Sequence, residues 1–429
     1  MSIIKAMYAG VSGLDAQGDA LGIVGDNVAN TSTIGFKRSR ATFEDVLGGV
    51  ANSPEATGAG VRLGRAQQIF AQGTIQNTGQ ATDCALSGDG FFVVRGNVGG
   101  VGGNFFTRAG QLTIRNDGVV ANPAGLVVQG YAANPDGTFS SKIGDLQLSI
   151  AQLPPRATGK VSITANLDAT ATPPAEAWDP QNPAATSNMS TSLTAYDSLG
   201  KAHQIDVYFR AGGGGAWEMH AIARGDDVAG ANPGENVEIA TAALSFTEAG
   251  ALADFQITNG GTVSFNGATA NQALTFDLGN PIAEGGNGLG GTTQFGAPSA
   301  IASQHQDGYA SGDLAGVKID AEGVVSGIYS NGQTVAAGKI AVAKFGSNEG
   351  LGRAGQNLWV ATQESGDPAI GAAGTGGRAT LVSGALEQSN VDIAEQFVNL
   401  IVHQRAFQAN SKTITTADQM LQELMMIKQ

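Results

Sequence analysis

Four histidines, a single cysteine, a glycine-rich hexad and a set of Asp-Gly turns are the places in this 429-residue chain where chemistry could be sought. Gly286-Asn287-Gly288-Leu289-Gly290-Gly291 fits a dinucleotide fingerprint as a string. Such a string holds phosphate only between a buried strand and a helix that points amides at the anion, and neither flank reads that way. It reads as a flexible surface loop. His203, His220, His305 and His403 are dispersed, with no His pair at helical spacing and no Cys partner, so a zinc site has no sequence support. His403 lies beside a C-terminal apolar row and reads as a polar interface or surface residue able to make a pH-sensitive contact. The Asp-Gly turns lack alternating carboxylates followed by a Glu at the twelfth place, which a calcium loop requires. Cys84 can form no internal disulfide and reads as a small buried hydrophobe. No serine sits in a nucleophile elbow, and no carboxylate pair can be assigned as acid and base. The expectation is a non-enzymatic protein with no catalytic residue, cofactor or metal.

The composition is also unusual for an enzyme of this length: 63 Gly, 14% charged residues and 6% aromatic residues. Hydrophobic residues make up 42%, enough to bury a core in each of two or three domains. A formal charge of −14 argues against nucleic acid, whose phosphates demand clustered Lys and Arg. The first residues carry Asp15 and Asp19 and lack an unbroken apolar stretch with a small-residue cleavage site. A cleaved secretory signal is therefore not expected, and neither is a membrane span, since no apolar run reaches about 18 residues.

The elements that must position any function divide sharply along the chain. Near the start, Ile4, Met7, Val11, Leu14, Leu21 and Val28 recur at alternating spacings of three and four, with Gly18 and Gly25 in the vacant places. This is a helical heptad seam with gaps. Gly10, Gly13 and Gly22 weaken the helix further, each glycine costing about 1 kcal/mol relative to Ala, so packing against other helices must supply its stability. At the other end Ile393, Leu400, Phe407, Ile414 and Leu421 repeat every seven residues, with Phe397 and Met425 on the adjoining row. Asn390 or Ser389 would cap this helix. Gln404, Ser411 and Asp418 share the second row and suit a larger or wetter bundle better than a dry pair.

Between the helices the pattern is short alternating strands, such as Ile205, Val207 and Phe209 opposite Asp206 and Tyr208, punctuated by Asn116-Asp117-Gly118, Pro135-Asp136-Gly137 and Ser330-Asn331-Gly332 turns. Similar strands are expected at Phe91 to Val94, Val161 to Leu167, Leu274 to Leu278 and Ile340 to Phe345. Pro-rich stretches at 153–155 and 172–183 and a Gly-rich stretch at 285–296 suggest boundaries near 150 and 305. The expected fold is α+β, mainly β: terminal helices in a coiled-coil-like bundle (1–30 with 386–429), a connecting segment (31–80), an inner β domain (81–150 with 306–385) and an outer barrel- or sandwich-like domain (151–305) inserted in it.

Several blocks carry a resemblance. Asn27-Val28-Ala29-Asn30-Thr31-Ser32-Thr33-Ile34-Gly35-Phe36-Lys37 resembles the signature that follows the first helix in the bacterial flagellar rod and hook axial protein family. Leu86 to Val94 and Phe106 to Gly110 are similar to its next blocks. The run Gly384 to Asp392, with Asn390, Val391 and Asp392, and the run Gln404-Arg405-Ala406-Phe407-Gln408-Ala409-Asn410-Ser411-Lys412 complete the match. Tyr196 to His203, Val207 to Phe209 and Gly308 to Leu351 resemble the outer region of the hook members, whereas distal rod members, the alternative, are shorter there.

The resemblance implies a self-assembling structural subunit. Its paired terminal helices would line a helical tube, a flexible curved universal joint that links rod to filament and transmits torque. Linkers near Pro154 to Gly159 and Gly296 to Gln304 would let the outer domain change neighbours. Implied partners are further copies of itself, rod and hook-filament junction proteins, a hook cap during assembly and the flagellar type III export apparatus, with no nucleic acid. The implied location is the hook, outside the cell on the basal body, reached with an uncleaved N-terminus.

Overall fold

The computed structural model describes residues 3–48, 57–134, 136–148 and 152–427. The expected boundary near residue 150 and Pro135 of the Pro135-Asp136-Gly137 turn lie outside those residues. The chain forms two compact units, one from residues 1–150, 315–328 and 334–429, the other from 151–314 and 329–333. Among the described residues no helix is long and apolar enough to cross a membrane.

The first unit holds helix α1 (Ile3–Ala29), a two-stranded antiparallel ribbon of β1 (Ser39–Gly48) and β2 (Thr57–Gln68), a twelve-stranded sheet, and helix α2 (Ile393–Ile427). Within the sheet, the strand Phe91–Val98 begins with four consecutive buried residues. Side chains alternate across a strand, so Phe92 and Val94 enter a core with Leu86, Ile340 and Val342, while Phe91 and Val93 enter another with Phe106, Phe345 and Trp359. A strand apolar on both faces marks a sheet covered on both sides. The Asn116-Asp117-Gly118 turn is a tight one, Gly118 taking the left-handed φ of +81° that the sequence pattern requires.

The second unit is built on a five-stranded antiparallel sheet, Met189–Tyr196, Ala202–Gly213, Ala216–Arg224, Asn236–Phe246 and Leu252–Gly260, in sequential order. Ile205, Val207 and Phe209 point into its core with Trp217, Met219 and Phe265, and the intervening Asp206 and Tyr208 face the other way. A smaller sheet pairs Lys160–Asn166 with Thr275–Asp277 and with Ala300–Gln306. The expected linker from Gly296 to Gln304 is therefore a paired strand from Ala300 onward, because its backbone groups complete the ladder with residues 161–166. The stretch from Pro154 is also tied down, through bridges from Leu153 to Gly312 and Arg156 to Tyr309. Nor does the glycine hexad float free. A Cβ at Gly286 would lie 2.3 Å from the Asn280 oxygen and one at Gly288 2.5 Å from the Leu252 oxygen, so these glycines permit close backbone approach.

Candidate functional site

In the first unit, residues of the signature blocks converge on one joint. Asn27, at the end of α1, is buried and donates from Nδ2 to the Ser39 carbonyl (2.7 Å) and to Gln396 Oε1 (2.9 Å), while its Oδ1 accepts the Ser39 N–H (2.8 Å). One amide thus fastens α1, the start of β1 and α2. Asn390 acts alike on the other side: Oδ1 accepts the Arg38 N–H (2.7 Å), and Nδ2 donates to the carbonyls of Ile69 and Ala71. It is not the helix cap. That role falls to Asp392, whose Oδ1 accepts the N–H groups of Ala394 and Glu395, because an Ncap must directly precede the first helical residue. Asn30 donates to the Asp26 carbonyl and closes the end of α1.

Beneath this joint lies a buried ionic cluster. The Lys37 ammonium is 2.5 Å from Glu387 Oε1 and donates to the Ala71 carbonyl, and Arg108 reaches Glu387 Oε2 at 3.2 Å and the Gly88 carbonyl at 2.9 Å. Glu387 Oε1 also accepts the Gly73 N–H. Burial pulls both the Lys37 and Arg108 cations below their ordinary ranges, against the opposing attraction of Glu387. Gly35 enters the same joint with φ +68°, donating its N–H to the Glu387 carbonyl, and a Cβ there would stand 2.7 Å from the Ala109 nitrogen. Phe36 is buried beside it, Ala29 is exposed and Val391 half-buried. Sequence reasoning singled out neither Glu387 nor Arg108 as functional. The available signal was a lone carboxylate in the otherwise apolar strand Ala385–Glu387.

The two helices pack against one another, Gly10 facing Ile414, Gln17 facing His403 and Asn27 facing Gln396, so the pair is antiparallel. On α1 the buried stripe is Gly10, Gly13, Ala16, Ala20, Val24 and Asn27. Small residues let the backbones close up: a Cβ on Gly10 would meet Ile414 Cγ1 at 3.0 Å, and one on Gly13 the Asn410 amide at 2.6 Å. On α2 the buried and half-buried positions include Gln396, His403, Asn410 and Ala417 beside the expected row of Leu400, Ile414 and Leu421. His403 Nδ1 contacts Gln17 Oε1 at 2.7 Å, and burial lowers its proton affinity.

The rest of both heptad patterns points elsewhere. Ile4 and Val11 are exposed, Met7, Leu14, Leu21 and Val28 half-buried, and Gly18, Gly22 and Gly25 open, with nothing within 4 Å of an added Cβ. On α2, Ile393, Phe397, Phe407 and Met425 are exposed, as are Gln404, Arg405 and Asp418, while Ser411 is half-buried. Val398, Ile401 and Val402 widen this exposed apolar surface. A shallow groove between Ala6, Ala409, Thr413, Thr416 and Met420 has a volume of about 440 Å³. The terminal helices thus carry an exposed apolar surface together with open glycines.

Among the described residues no cluster of three or more His, Cys, Asp or Glu could hold a metal. Cys84 is fully buried, and burial, reinforced by Asp83, pushes its thiol up to about 12. The native protein should react with a maleimide at pH 8 at least about a hundredfold more slowly than the unfolded chain. Equal rates, followed by mass spectrometry, would contradict this placement.

Residues 166–309 match the family described as flagellar basal body protein FlaE D2 domain, and residues 85–166 the flagellar hook protein FlgE/F/G D1 domain. Residues 7–37 match the flagella basal body rod protein family and 382–426 the flagellar basal body rod FlgEFG protein C-terminal family. The flagellar hook protein FlgE of Escherichia coli (strain K12) is 35% identical over 427 residues, covering 99% of this chain and 100% of the relative. The corresponding protein of Treponema pallidum (strain Nichols) is 32% identical over 469 residues, with coverage of 99% and 100%. The crystal structure of Helicobacter pylori flagellar hook protein FlgE2 shares the fold, with a TM-score of 0.51 and 16% identity over 73% of this chain and 100% of that one.

Proposed function

The chain belongs to the flagellar hook protein FlgE family, a structural subunit of the flagellar hook, and from that premise we propose that it polymerises through the outward faces of its terminal helices into the curved tube joining rod to filament. The observation that carries this reading is the pairing of exposed Ile4, Val11, Phe397, Ile401 and Val402 with the open Gly18, Gly22 and Gly25. In water those side chains lose the roughly 25 cal/mol per Å² that burial supplies. A second copy of the same helix pair offers matching apolar knobs and glycine hollows.

A contact between two different faces of identical subunits does not close on itself, and repetition generates a helix. Such a tube passes torque along its wall. The finer partners follow from the same reading: rod proteins at one end, hook-filament junction proteins at the other, a cap over the growing tip, and export by the flagellar type III apparatus. A helix as rich in glycine as α1 is easily kept unfolded during passage.

Deleting the gene in its own bacterium tests the proposal. Cells should lose motility and carry basal bodies that stop at the rod. Hooks of normal form on the deletion strain would refute it, and straight rather than curved polymers of the purified chain would move the assignment to a distal rod subunit.

A further inference from the structure

The two terminal helices carry outward stripes of opposite character. On α1, Val11, Asp15, Gly18, Gly22, Gly25 and Ala29 follow one another at spacings of three and four and are all exposed. On α2, Val398, Ile401, Arg405, Gln408 and Lys412 do the same. The first stripe is hollow and acidic, the second ridged and basic. Among the described residues neither Asp15 nor Arg405 pairs with an opposite charge of its own chain. The β1–β2 ribbon meets α1 at Ala9 and Ser12, off this stripe, and leaves it open.

On the premise of the polymerising subunit proposed above, we infer that α1 of one copy docks its hollow stripe onto the ridged stripe of α2 in a second copy, with Asp15 set against Arg405. The chain's own helix pair supplies the register: Asn27 lies against Gln396, Gln17 against His403 and Gly10 against Ile414. The same antiparallel register carried across to a neighbour sets Gly22 opposite Val398, Gly18 opposite Val402 and Asp15 opposite Arg405. Val398 and Val402 are both exposed, and no atom of the same chain lies within 4 Å of a Cβ added at Gly18 or Gly22. The valines therefore fill hollows that are otherwise empty. Lys412 falls opposite the exposed Tyr8, whose ring face attracts a cation.

Like stripes fit worse. Two copies of α1 would press glycine on glycine and bring acidic stripes together, and two copies of α2 would set Arg405 and Lys412 against one another, a juxtaposition that charge disfavours. The α1 stripe lies away from the buried Gly13, Ala20 and Val24, and the α2 stripe away from Gln396, Asn410 and Ile414, which face the partner helix. The two stripes thus look in opposite directions from one helix pair. Their contact is heterologous, so a row of alternating α1 and α2 continues from copy to copy instead of closing on two.

Charge reversal in the full chain tests the pairing. Asp15→Arg and Arg405→Asp each change an exposed side chain, so both should leave the circular dichroism of the monomer unchanged. Each should raise the concentration needed for tube formation about tenfold, the factor for roughly 1.4 kcal/mol lost at one contact. The variant carrying both reversals should return to the parental concentration. Gly18→Cys combined with Val402→Cys, oxidised within tubes, should join chains into a ladder on a denaturing gel, and Gly18→Cys alone should not, since Cys84 is fully buried. Dimers from Gly18→Cys alone, single reversals that assemble at the parental concentration, or a double reversal no better than either single one would each overturn the pairing and leave a polymerising subunit in place. A parent chain that forms no tubes would remove the premise and the pairing with it.

Discussion

Replacing Glu387 with Gln should destabilise the first unit by roughly 3–5 kcal/mol, the cost of leaving buried charge without its partner. The substitution keeps size and an acceptor for the Gly73 N–H, so the loss is almost wholly electrostatic. Lys37 and Arg108, both buried, would then face each other with no anion between them. Neither can move to water without tearing its bond to the Ala71 or Gly88 carbonyl. Lys37→Met should cost less, because Arg108 remains to balance Glu387, and Arg108→Met should resemble it. Denaturant unfolding, monitored by a probe within the first unit because a two-unit chain need not unfold in one step, measures the difference. A loss under about 1 kcal/mol for Glu387→Gln would show that the cluster is hydrated or neutral in solution.

Placing leucines on the open glycine stripe should abolish polymerisation while sparing the monomer. A Cβ added at Gly18, Gly22 or Gly25 has no neighbour within 4 Å, so a side chain at any of them starts into open space. An exposed helix gains up to about 1 kcal/mol when Gly gives way to a good helix former. Circular dichroism of Gly18→Leu, Gly22→Leu and the triple variant should therefore show equal or greater helicity. Between subunits the same side chains would overpack a close helix contact, at about 1–3 kcal/mol each, and each 1.4 kcal/mol lowers association about tenfold. Gly10 and Gly13 supply the internal comparison, since their Cβ atoms would meet Ile414 and Asn410 of the same chain. Leucines there should damage the monomer itself. Normal tubes from the triple variant, seen by electron microscopy, would exclude the stripe from the assembly face.

Legibility differed by element for physical reasons. Strands of the second unit announced themselves because alternation is a local property, and Ile205, Val207 and Phe209 needed only a two-residue period. The left-handed Gly118, Gly137 and Gly332 were legible as turn residues for the same reason. The glycine hexad misled, since glycine signals flexibility and close packing alike, and the backbones it lets approach belong to distant residues such as Leu252. Glu387 was silent as a functional residue because its three partners lie hundreds of positions away along the chain.

The heptads show the division most clearly. Local periodicity was enough to show that both ends are helices, that large apolar residues recur along them and that glycines interrupt the first. Which stripe meets the chain's own second helix emerged only from three-dimensional packing. Gly10 and Gly13 line that contact, where an added Cβ would meet Ile414 and Asn410, and several of the larger apolar residues face outward. A period fixes which residues share a face. Which face is covered depends on a partner, and here the partners Gln17 and His403 stand 386 residues apart, a separation across which no local pattern carries information.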